Sequence, residues 1–359
     1  MSKKKIRVAI NGFGRIGRLF FKLAQESDSV EIVAINDLGD VKNMAYLLKY
    51  DSAQKELVLN VEAIEEGDSS YLQVGEKAIP FYSIREPGEL PWGELVVDVV
   101  AECTGVFTSF EKSNAHLEAG AKRVVISAPV KDAQGMSFGV NRKGATVLMG
   151  VNDNEIASCD ITSNASCTTN AGGIPLDIMR KTVGVESALL NTIHSYTASQ
   201  SIVDAPRPGK NDYRKMRAGA VNIIPSSTGS AIATTKAIPD LENQFDGIAL
   251  RVPVITGSIA DITFISSRET SAEEVNNIFR DAAKEDRYQG LLRVEEDQIV
   301  SSDIIGDRHI VIIDPAFTRV VGKLVKIMVW YDNETGYSQS LLSQVEAMGQ
   351  VVQGYISEQ

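Results

Sequence analysis

Apolar positions in the first part of the chain follow two alternating patterns. Ile6–Ile10 is a short run dominated by apolar residues, whereas the apolar residues of Arg15–Gln25 recur at helical spacing. The same patterns predict strands at Glu31–Ile35, Leu95–Ala101, Arg123–Ser127 and Thr146–Met149, and helices at Val41–Lys49 and Glu111–Ala119. Strand and helix in repeated alternation predict a parallel sheet covered on both faces.

The pattern changes after about Asn152. We predict a helix that begins at Cys167, with Pro175 either bending it or marking its true start. Alternating runs then predict strands at Ala188–His194, Gly247–Pro253, Ser258–Ser266, Ile310–Asp314 and Val325–Trp330. Ser195–Asn222 is predicted to be a long functional loop. The second part is therefore α+β with a mostly antiparallel sheet, and the helical pattern Gly336–Ile356 could pack back on the first domain.

Composition excludes several classes of protein. The 359 residues are 43% hydrophobic and 23% charged, which is typical of a globular enzyme with two domains. A net charge of −11 argues against binding to nucleic acid or to an anionic membrane. No apolar run reaches the ~18 residues of a membrane span, and Met1–Lys5 precedes too short an apolar stretch for a signal peptide. Three cysteines do not make a disulfide framework, so we expect a cytoplasmic protein.

A glycine-rich turn indicates a dinucleotide site. Gly12, Phe13, Gly14, Arg15, Ile16 and Gly17 fit the G-x-G-x-x-G pattern between a predicted strand and a predicted helix. Such glycines allow a tight turn, close approach of the backbone to a pyrophosphate and close packing of the helix. The helix N-terminus supplies amides and partial positive charge. The alternative is a purely structural turn.

Asp37 follows Gly17 by twenty positions and ends the second predicted strand. A carboxylate there can accept hydrogen bonds from ribose hydroxyls and repels a 2′-phosphate, which favours NAD over NADP. The alternative for Asp37 is an ordinary solvated charge at the end of a strand.

Cys167 is the candidate nucleophile. It stands among small and hydroxylated residues where a strand gives way to a helix, a position whose dipole and amides favour a thiolate and can hold an oxyanion. An inert buried thiol is the alternative for Cys167. We interpret Cys103 and Cys159 as structural.

His194 is the candidate general base. It ends an alternating strand and opens a polar loop, so a Cys–His arrangement with Cys167 is the economical interpretation. A structural role for His194 is the alternative. We expect His116, on a helix, and His309, in a charged turn, to lie at the surface. No spacing of cysteines and histidines indicates a metal site.

Six motifs in register now resemble one family, the phosphorylating glyceraldehyde-3-phosphate dehydrogenases, over essentially the whole chain. They are Asn11–Arg18, Ser163–Asn170, His194–Gln200, Asn222–Gly229, Arg251–Pro253 and Trp330–Glu334.

This resemblance implies an α/β Rossmann NAD-binding domain formed by residues 1–151 and 336–359, and an α+β catalytic domain formed by 152–335. It implies a homotetramer in which the Ser195–Asn222 loop lies near a neighbouring subunit's cofactor. It also implies that Cys167 attacks the aldehyde of glyceraldehyde 3-phosphate with His194 as base, that hydride passes to NAD, and that inorganic phosphate releases an acyl phosphate from the thioester, as in glycolysis and gluconeogenesis.

The resemblance also assigns binding residues. Besides the glycine-rich turn and Asp37, the cofactor-binding residues are Arg85, Thr104, Gly105, Ser127, Asn333 and Tyr337. The residues that would bind the substrate phosphate or the attacking phosphate are Ser166, Thr168, Thr197, Arg217, Thr228, Gly229 and Arg251; an ordinary ion pair is the alternative for Arg251.

The chain departs from the family at four positions. Ala171 stands where many members have a second cysteine, and Thr335 replaces a usual tryptophan. Ala205 is smaller than the residue common in strictly NAD-using members, which leaves dual use of NAD and NADP open, and Lys215 replaces an arginine of some members. The alternative functions are erythrose-4-phosphate dehydrogenase, which transfers the acyl group to water, and a non-catalytic NAD-binding homologue.

Overall fold

The computed structural model describes residues 4–54, 60–206 and 212–356, which form two compact units. The first unit holds the described residues up to Ala165 and from Ser338, and the second is Ser166–Tyr337. The sequence analysis placed residues 152–165 in the second domain. In the structure they group with the first unit, because a short strand within them joins the first unit's sheet.

The first unit is built on a ten-stranded sheet. Its strands are β1 Ile6–Asn11, β2 Val30–Asn36, β3 Val61–Glu66, β4 Ser69–Val74, β5 Lys77–Tyr82, β6 Val99–Glu102, β7 Arg123–Ile126, β8 Met136–Phe138, β9 Arg142–Thr146 and β10 Ile161–Ser163. Its helices are α1 Arg15–Glu26, α2 Val41–Lys49 and α3 Phe110–Glu118.

The order of strands identifies the fold of this sheet. The strands run β3-β4-β5-β2-β1-β6-β7-β10-β9-β8, and the central pairs from β5 to β9 are parallel. The stretch β5-β2-β1-β6-β7-β10 has the order of the doubly wound dinucleotide-binding fold, whose strand order reverses between β1 and β6. Ligands bind beyond the carboxyl ends of the strands at such a point, which here are Asn11 and Glu102.

Hydrophobic clusters cover both faces of the sheet, as the predicted parallel arrangement requires. One contains Phe13, Phe20 and Phe21, and the other contains Trp92 and Phe110. The predicted α/β fold of this unit is therefore confirmed.

Several predicted elements were wrong in extent. The strand predicted at Leu95–Ala101 begins only at Val99, because Val96 adopts a left-handed φ of 51° in a preceding turn. The strand predicted at Thr146–Met149 ends at Thr146, where Asn152 Oδ1 accepts a hydrogen bond from the Leu148 amide in a loop. Strands β3 to β5 were not predicted.

His116 was wrongly predicted at the surface. Its side chain is fully buried, with Nε2 3.0 Å from Glu102 Oε2 and Nδ1 accepting a 3.0 Å hydrogen bond from Trp92 Nε1. His309 is partly exposed and lies 2.9 Å from Asp307 Oδ1.

The second unit is built on a seven-stranded sheet in the order β12-β13-β11-β14-β17-β16-β15. Its strands are β11 Ser187–Ser195, β12 Ile224–Ser227, β13 Phe245–Val252, β14 Ser258–Ile265, β15 Leu292–Val294, β16 Val311–Val321 and β17 Leu324–Tyr331. Its helices are α4 Cys167–Thr182, α5 Ser230–Ala237 and α6 Ala272–Ala282. Only the pairs β11–β13 and β15–β16 are parallel, so the predicted mostly antiparallel sheet is confirmed.

The helix α4 begins at Cys167, and Pro175 lies inside it. Within the predicted loop Ser195–Asn222, Ser195 ends β11, and the other described residues form an isolated bridge between Ser201 and Ala218 and short 3₁₀ turns at Tyr213–Met216 and Gly219–Val221. Residues 207–211 lie outside the description. The last helix is α7 Thr335–Val352, which lies mostly in the first unit. No helix in the described ranges is both long and apolar enough to cross a bilayer.

Candidate active site

Cys167 lies at the N-terminus of α4 because Ser166 caps this helix. The Ser166 side chain accepts a 3.1 Å hydrogen bond from the Thr169 amide, and its carbonyl accepts one from Asn170. The side chain of Cys167 is partly exposed and borders amides at the positive end of the helix dipole. Ser166, a predicted phosphate-binding residue, therefore also defines where the helix starts.

Two parallel strands bring His194 and Arg251 together. His194 on β11 is in register with Arg251 on β13, so both side chains lie at the carboxyl ends of neighbouring strands. The Arg251 Nη1 atom lies 2.6 Å from His194 Nδ1, and His194 Nε2 lies 3.4 Å from Cys167 Sγ. Residues distant in sequence thus form one linear array of thiol, imidazole and guanidinium.

Burial opposes charge on both Cys167 and His194. Burial raises the pKa of Cys167, although the positive charge of Arg251 and hydrogen bonds from Thr168 oppose the rise. Burial and the Arg251 charge together lower the pKa of His194 to about 3. Desolvation therefore opposes the thiolate that the start of α4 favours, and it favours the neutral form of His194.

A chain of hydroxyl groups runs from the thiol into the core of the second unit. The Thr168 hydroxyl lies 3.0 Å from the Tyr331 hydroxyl, which lies 2.6 Å from that of Thr192. The Tyr331 ring also packs edge-on against the His194 ring, with centroids 6.0 Å apart. Sequence reasoning gave Tyr331 no role, although the alternation that buries Val325, Ile327 and Val329 places Tyr331 on the same buried face.

Asn333 has a fixed orientation. Its Oδ1 atom accepts hydrogen bonds from the Ser195 hydroxyl, the Gly257 amide and the Ser258 hydroxyl, at 2.9, 3.1 and 3.0 Å. These three donors fix the amide oxygen, so the amide nitrogen remains as the donor group of this side chain. Thr335, two residues further, is buried, and its hydroxyl has no hydrogen-bond partner. Tyr337 is also buried, in the first turn of α7.

The remaining predicted anion-binding residues lie on separate elements. Thr197 lies in the turn after β11, where Gln200 Oε1 accepts its amide hydrogen. Thr228 and Gly229 immediately precede α5, and the Thr228 hydroxyl accepts a 3.1 Å hydrogen bond from the Ser230 amide. Arg217 is exposed and pairs with Asp204 at 2.6 Å. The described contact of Arg217 is therefore a surface ion pair with Asp204.

Two residues of the Ser195–Asn222 loop that depart from the family are held locally. The Ala205 amide donates to the Met216 carbonyl at 3.0 Å, and Lys215 pairs with Asp212 at 3.2 Å.

The first unit contains a cavity of about 470 Å³ at the carboxyl ends of β1, β2 and β6. Gly12, Gly14, Asp37, Arg85 and Thr104 line it, which brings five predicted cofactor-binding residues together. Ser127 lies after the end of β7, and its hydroxyl hydrogen-bonds Cys103.

The two outer glycines of the turn are required by close approach of the backbone. A Cβ on Gly12, whose φ is +94°, would lie 2.5 Å from the Thr104 nitrogen, and one on Gly17 would lie 2.1 Å from the Gly12 carbonyl oxygen. A Cβ on Gly14 would contact nothing within 4 Å and would project into the open space of the cavity. The turn therefore keeps a backbone-lined space where α1 begins, which fits the pyrophosphate of a dinucleotide.

Carboxylates hold the cavity walls in place. The Asp37 oxygens accept hydrogen bonds from the Phe13 amide at 2.6 Å and the Gly39 amide at 2.8 Å, which leaves lone pairs for ribose hydroxyls. The buried Glu102 accepts from the amide and hydroxyl of Thr104, just before Gly105. Sequence reasoning missed Glu102.

Arg15 and Ile16 are the first two residues of α1, next to the glycine-rich turn. The Arg15 guanidinium donates to both oxygens of Asp51, at 2.8 and 2.9 Å. Across the described parts of the chain, no cluster of three or more His, Cys, Asp or Glu residues is placed to hold a metal ion.

Comparison with known proteins agrees with both halves of this description. Residues 6–110 match the family model for the NAD binding domain of glyceraldehyde 3-phosphate dehydrogenase, and 166–333 match the model for its C-terminal domain. The chain is 44% identical over 347 residues to glyceraldehyde-3-phosphate dehydrogenase 2 of Streptomyces arenae, covering 96% of this chain and 98% of the relative. It is 43% identical over 351 residues to the glyceraldehyde-3-phosphate dehydrogenase of Mycobacterium leprae, with coverage of 96% and 98%.

Proposed function

The chain belongs to the glyceraldehyde-3-phosphate dehydrogenase family, and we propose that it oxidises glyceraldehyde 3-phosphate to an acyl phosphate with NAD and inorganic phosphate, through a thioester on Cys167. The observation that carries the proposal is the contact of 3.4 Å between Cys167 Sγ and His194 Nε2 at the N-terminus of α4. It supports a nucleophile with its base, and the names of the relatives support the substrate.

The first bond forms between Cys167 Sγ and the aldehyde carbon. As it forms, the thiol proton moves to His194 Nε2, so that no free thiolate has to accumulate in the buried site. The carbonyl electrons move onto oxygen, and the amides at the start of α4 are the donors for this developing charge. His194 then returns this proton to the oxygen, so the product is a neutral hemithioacetal on Cys167 beside a neutral imidazole.

Oxidation of the hemithioacetal removes a hydride from its carbon. Bound NAD supplies the hydride acceptor for this step. In the first unit, Asp37 would hold the adenosine ribose, and the turn around Gly14 would hold the pyrophosphate. In the second unit, the fixed amide of Asn333 would donate to the nicotinamide carboxamide. His194 would accept the hydroxyl proton as the thioester forms.

The thioester is opened by inorganic phosphate, whose oxygen bonds to the acyl carbon as the bond to Sγ breaks. Thr168 and Ser166 beside the thiol, and Thr228 and Gly229 before α5, are the proposed phosphate-binding residues. Arg251 and Thr197 are proposed to bind the phosphate of the substrate. A phosphate-binding role for Arg217 rests on the family resemblance alone, since its side chain pairs with Asp204.

The alternatives are less well supported. The relatives are glyceraldehyde-3-phosphate dehydrogenases, so hydrolytic erythrose-4-phosphate oxidation is not favoured. A non-catalytic homologue would not need the close pair of Cys167 and His194.

Formation of NADH at 340 nm tests the proposal. The assay uses glyceraldehyde 3-phosphate and NAD, with and without inorganic phosphate. We expect sustained turnover only with phosphate. Equal turnover without phosphate, with release of free acid, would indicate the hydrolytic reaction. No turnover by a protein that still binds NAD would indicate a non-catalytic homologue.

The choice of NAD over NADP is tested by the ratio of the two kcat/KM values. Asp37 borders the cavity with its carboxylate, which repels a 2′-phosphate. We expect the value for NAD to be the larger. A kcat/KM for NADP equal to or above that for NAD would indicate that the small side chain of Ala205 affects the choice of cofactor more than Asp37 does.

We further propose that the chain forms a homotetramer in the cytoplasm. One face of the second unit's sheet carries exposed apolar residues, among them Leu189 at 65% and Ile248 at 53% exposure, which favours burial against another copy. The three cysteines are free, and free thiols persist most readily in a reducing compartment, which supports the cytoplasm.

A further inference from the structure

We propose that the buried pair of His116 and Glu102 positions the floor of the dinucleotide cavity, so that the affinity for the adenosine half of NAD depends on two residues that do not line the cavity. The floor consists of four residues that do line it: Asn11, Asn36, Ile84 and Thr104. This inference rests on the proposed placement of NAD in the first unit's cavity, and it is independent of the chemistry in the second unit.

A chain of hydrogen bonds links the floor to Glu102. Asn36 ends β2, Asn11 ends β1 and Glu102 ends β6. Asn36 Nδ2 donates to Asn11 Oδ1 at 2.7 Å, and Asn11 Nδ2 donates to Glu102 Oε2 at 2.5 Å. At the other end, the Asn36 side chain both donates to and accepts from the backbone of Ile84, at 2.9 Å each. The chain therefore joins the ends of three neighbouring parallel strands to the segment after β5.

A backbone amide fixes the orientation of both asparagine side chains. The Ile84 amide can only donate, so the atom of Asn36 that accepts from it is the oxygen. The nitrogen of Asn36 then faces the oxygen of Asn11, and the nitrogen of Asn11 faces Glu102. The hydrogen bonds between these side chains therefore all point toward Glu102.

An indole fixes the tautomer of His116. Trp92 Nε1 can only donate, and it lies 3.0 Å from His116 Nδ1, which has no other hydrogen-bond partner among the described residues. Nδ1 therefore carries the lone pair, and Nε2 carries the hydrogen that it donates to Glu102 Oε2 at 3.0 Å. The ring is neutral, because a second hydrogen on Nδ1 would face the hydrogen of the indole.

Glu102 accepts four hydrogen bonds. Oε2 accepts from Asn11 and from His116, whose donating nitrogens lie 3.4 Å apart, and Oε1 accepts from the amide and the hydroxyl of Thr104. The Thr104 hydroxyl itself accepts from the Val106 amide, so its hydrogen is available to Glu102. A protonated carboxyl would bring a hydrogen that has no acceptor, so Glu102 is an anion. No lysine or arginine in the described part of the chain pairs with it, and neutral donors alone hold the charge.

The carboxylate sets one wall of the space proposed for the pyrophosphate. Glu102 holds the Thr104 amide at 2.8 Å, and the nitrogen of this amide lies 2.5 Å from the place where a Cβ on Gly12 would be. A turn of the carboxylate would therefore displace the Thr104 backbone relative to the glycine-rich turn. Of the three residues that donate to Glu102, only His116 lies outside the cavity lining, so it holds the carboxylate from the side away from the ligand.

A purely structural pair predicts a different result from a positioning pair. If the hydrogen bonds of His116 only stabilised the fold, their loss would lower the free energy of unfolding and leave the affinity of the folded protein unchanged. A positioning role predicts weaker binding of the adenosine half by protein that is folded. The affinity for ADP-ribose, which has the adenosine and the pyrophosphate but no nicotinamide, distinguishes the two.

Isothermal titration calorimetry with NAD and with ADP-ribose is the test. His116→Phe keeps a planar ring that can neither accept from Trp92 nor donate to Glu102, and we expect both dissociation constants to rise about tenfold. His116→Gln has one amide that can do both, so both constants should stay within about twofold of the wild type. His309→Phe is the matched control, since His309 is partly exposed in the second unit, and it should change neither constant.

Three results would overturn the proposal. One is equal constants for His116→Phe and His116→Gln, because the hydrogen bonds would then have no effect on binding. Another is a weaker affinity for NAD with an unchanged affinity for ADP-ribose, which would place the effect at the nicotinamide. The third is a loss of stability in urea unfolding with unchanged constants, which is the purely structural case.

A second variant keeps the test decisive if His116→Phe does not fold. Trp92→Phe keeps an aromatic ring and removes the donor that fixes His116 Nδ1. We expect both dissociation constants to rise about threefold in this variant. Constants equal to those of the wild type would overturn the proposal.

Initial rates separate this proposal from the proposed function. In His116→Phe the KM for NAD should rise while kcat at saturating NAD stays within about twofold, because the pair lies in the first unit and the thiol in the second. A wild type that binds neither NAD nor ADP-ribose would reject the placement of the cofactor itself. A wild type that binds both, with every variant unchanged, would reject the positioning pair and keep the proposed function.

Discussion

Cys167 and His194 depend on each other because neither is reactive alone. Burial raises the pKa of the thiol, and burial with the Arg251 charge lowers that of the imidazole. Desolvation therefore opposes charge on both groups, which face each other across 3.4 Å. A buried ion pair between them would carry a desolvation cost.

Replacement of Cys167 tests the nucleophile. We expect Cys167→Ala to lose turnover by about 10⁴-fold or more, because no covalent intermediate can form. The affinity for NAD, measured by calorimetry, should remain within about twofold of the wild type. Turnover near the wild-type value would refute the assignment.

Replacement of His194 tests both the base and its protonation. We expect His194→Asn to slow alkylation of Cys167 by iodoacetamide at neutral pH and to slow formation of the thioester, measured by single-turnover NADH formation. An unchanged pH profile of Cys167 alkylation in this variant would show that His194 is not the base.

The lowered pKa of His194, about 3, also predicts a dependence of stability on pH. The unfolded chain binds a proton below the ordinary pKa near 6.5, so between about pH 6.5 and 3 it binds more protons than the folded chain, and acid destabilises the fold. Between pH 7.5 and 4.5 the wild type should lose about 2–3 kcal/mol more than His194→Asn. Urea unfolding at both pH values measures this; equal losses would contradict the buried neutral imidazole.

At the scale of elements, the glycine-rich turn uses glycine for two different reasons. Gly12 and Gly17 are glycine because the backbone passes within van der Waals contact, whereas Gly14 leaves space open beside the cavity. The same added methyl group should therefore have different effects at positions two residues apart.

We expect Gly12→Ala to lower the free energy of unfolding by about 2 kcal/mol or more, because its φ of +94° and the Thr104 backbone oppose a Cβ. Gly14→Ala should leave stability within about 0.5 kcal/mol and raise the KM for NAD about tenfold, because the methyl enters the cavity. Urea unfolding and initial rates measure the two effects. Loss of stability in Gly14→Ala with unchanged KM would contradict this division.

Elements with strong periodicity could be predicted from the sequence. The glycine turn and the residue at which α4 begins follow from local signals, and the fold class follows from the order of patterns. Strands β3 to β5 could not be predicted, because they are largely polar on their exposed faces and carry few buried apolar residues. The start of β6 depended on the left-handed backbone at Val96, which no side-chain pattern reveals.

The pairing of side chains was harder to predict than the elements. His194 and Cys167 were proposed together from chemistry, yet the position of Arg251 on Nδ1 follows from strand register between segments 57 residues apart. Likewise, His116 is buried because Glu102 and Trp92 satisfy both ring nitrogens, and these partners lie on other elements.

At the scale of the whole molecule, each unit has its own sheet and its own chemistry. The first unit contains the dinucleotide cavity, and the second contains the thiol, the imidazole and the guanidinium. The matched family regions fall in the same two parts of the chain. The proposed assembly would use the exposed apolar face of the second sheet.

We expect the wild type to sediment as a tetramer, and Ile248→Asp to shift it to smaller species, because a charge on this apolar face would be buried without a partner. Val140→Asp is the matched control, since Val140 is exposed in a turn of the first unit. Analytical ultracentrifugation measures both. A monomeric wild type, or equal behaviour of the two variants, would reject this face as the interface.

The three cysteines have very different environments, so that the number of chains with an intact active site can be measured by thiol titration. Burial raises the pKa of Cys103 to about 12 and that of Cys159 to about 11, while Cys167 alone has a base beside it. In native protein, one equivalent of a chromogenic thiol reagent per chain should react rapidly, and three should react after denaturation. The fast fraction then reports how many chains in a preparation are competent, so that turnover numbers can be expressed per working site rather than per mass of protein.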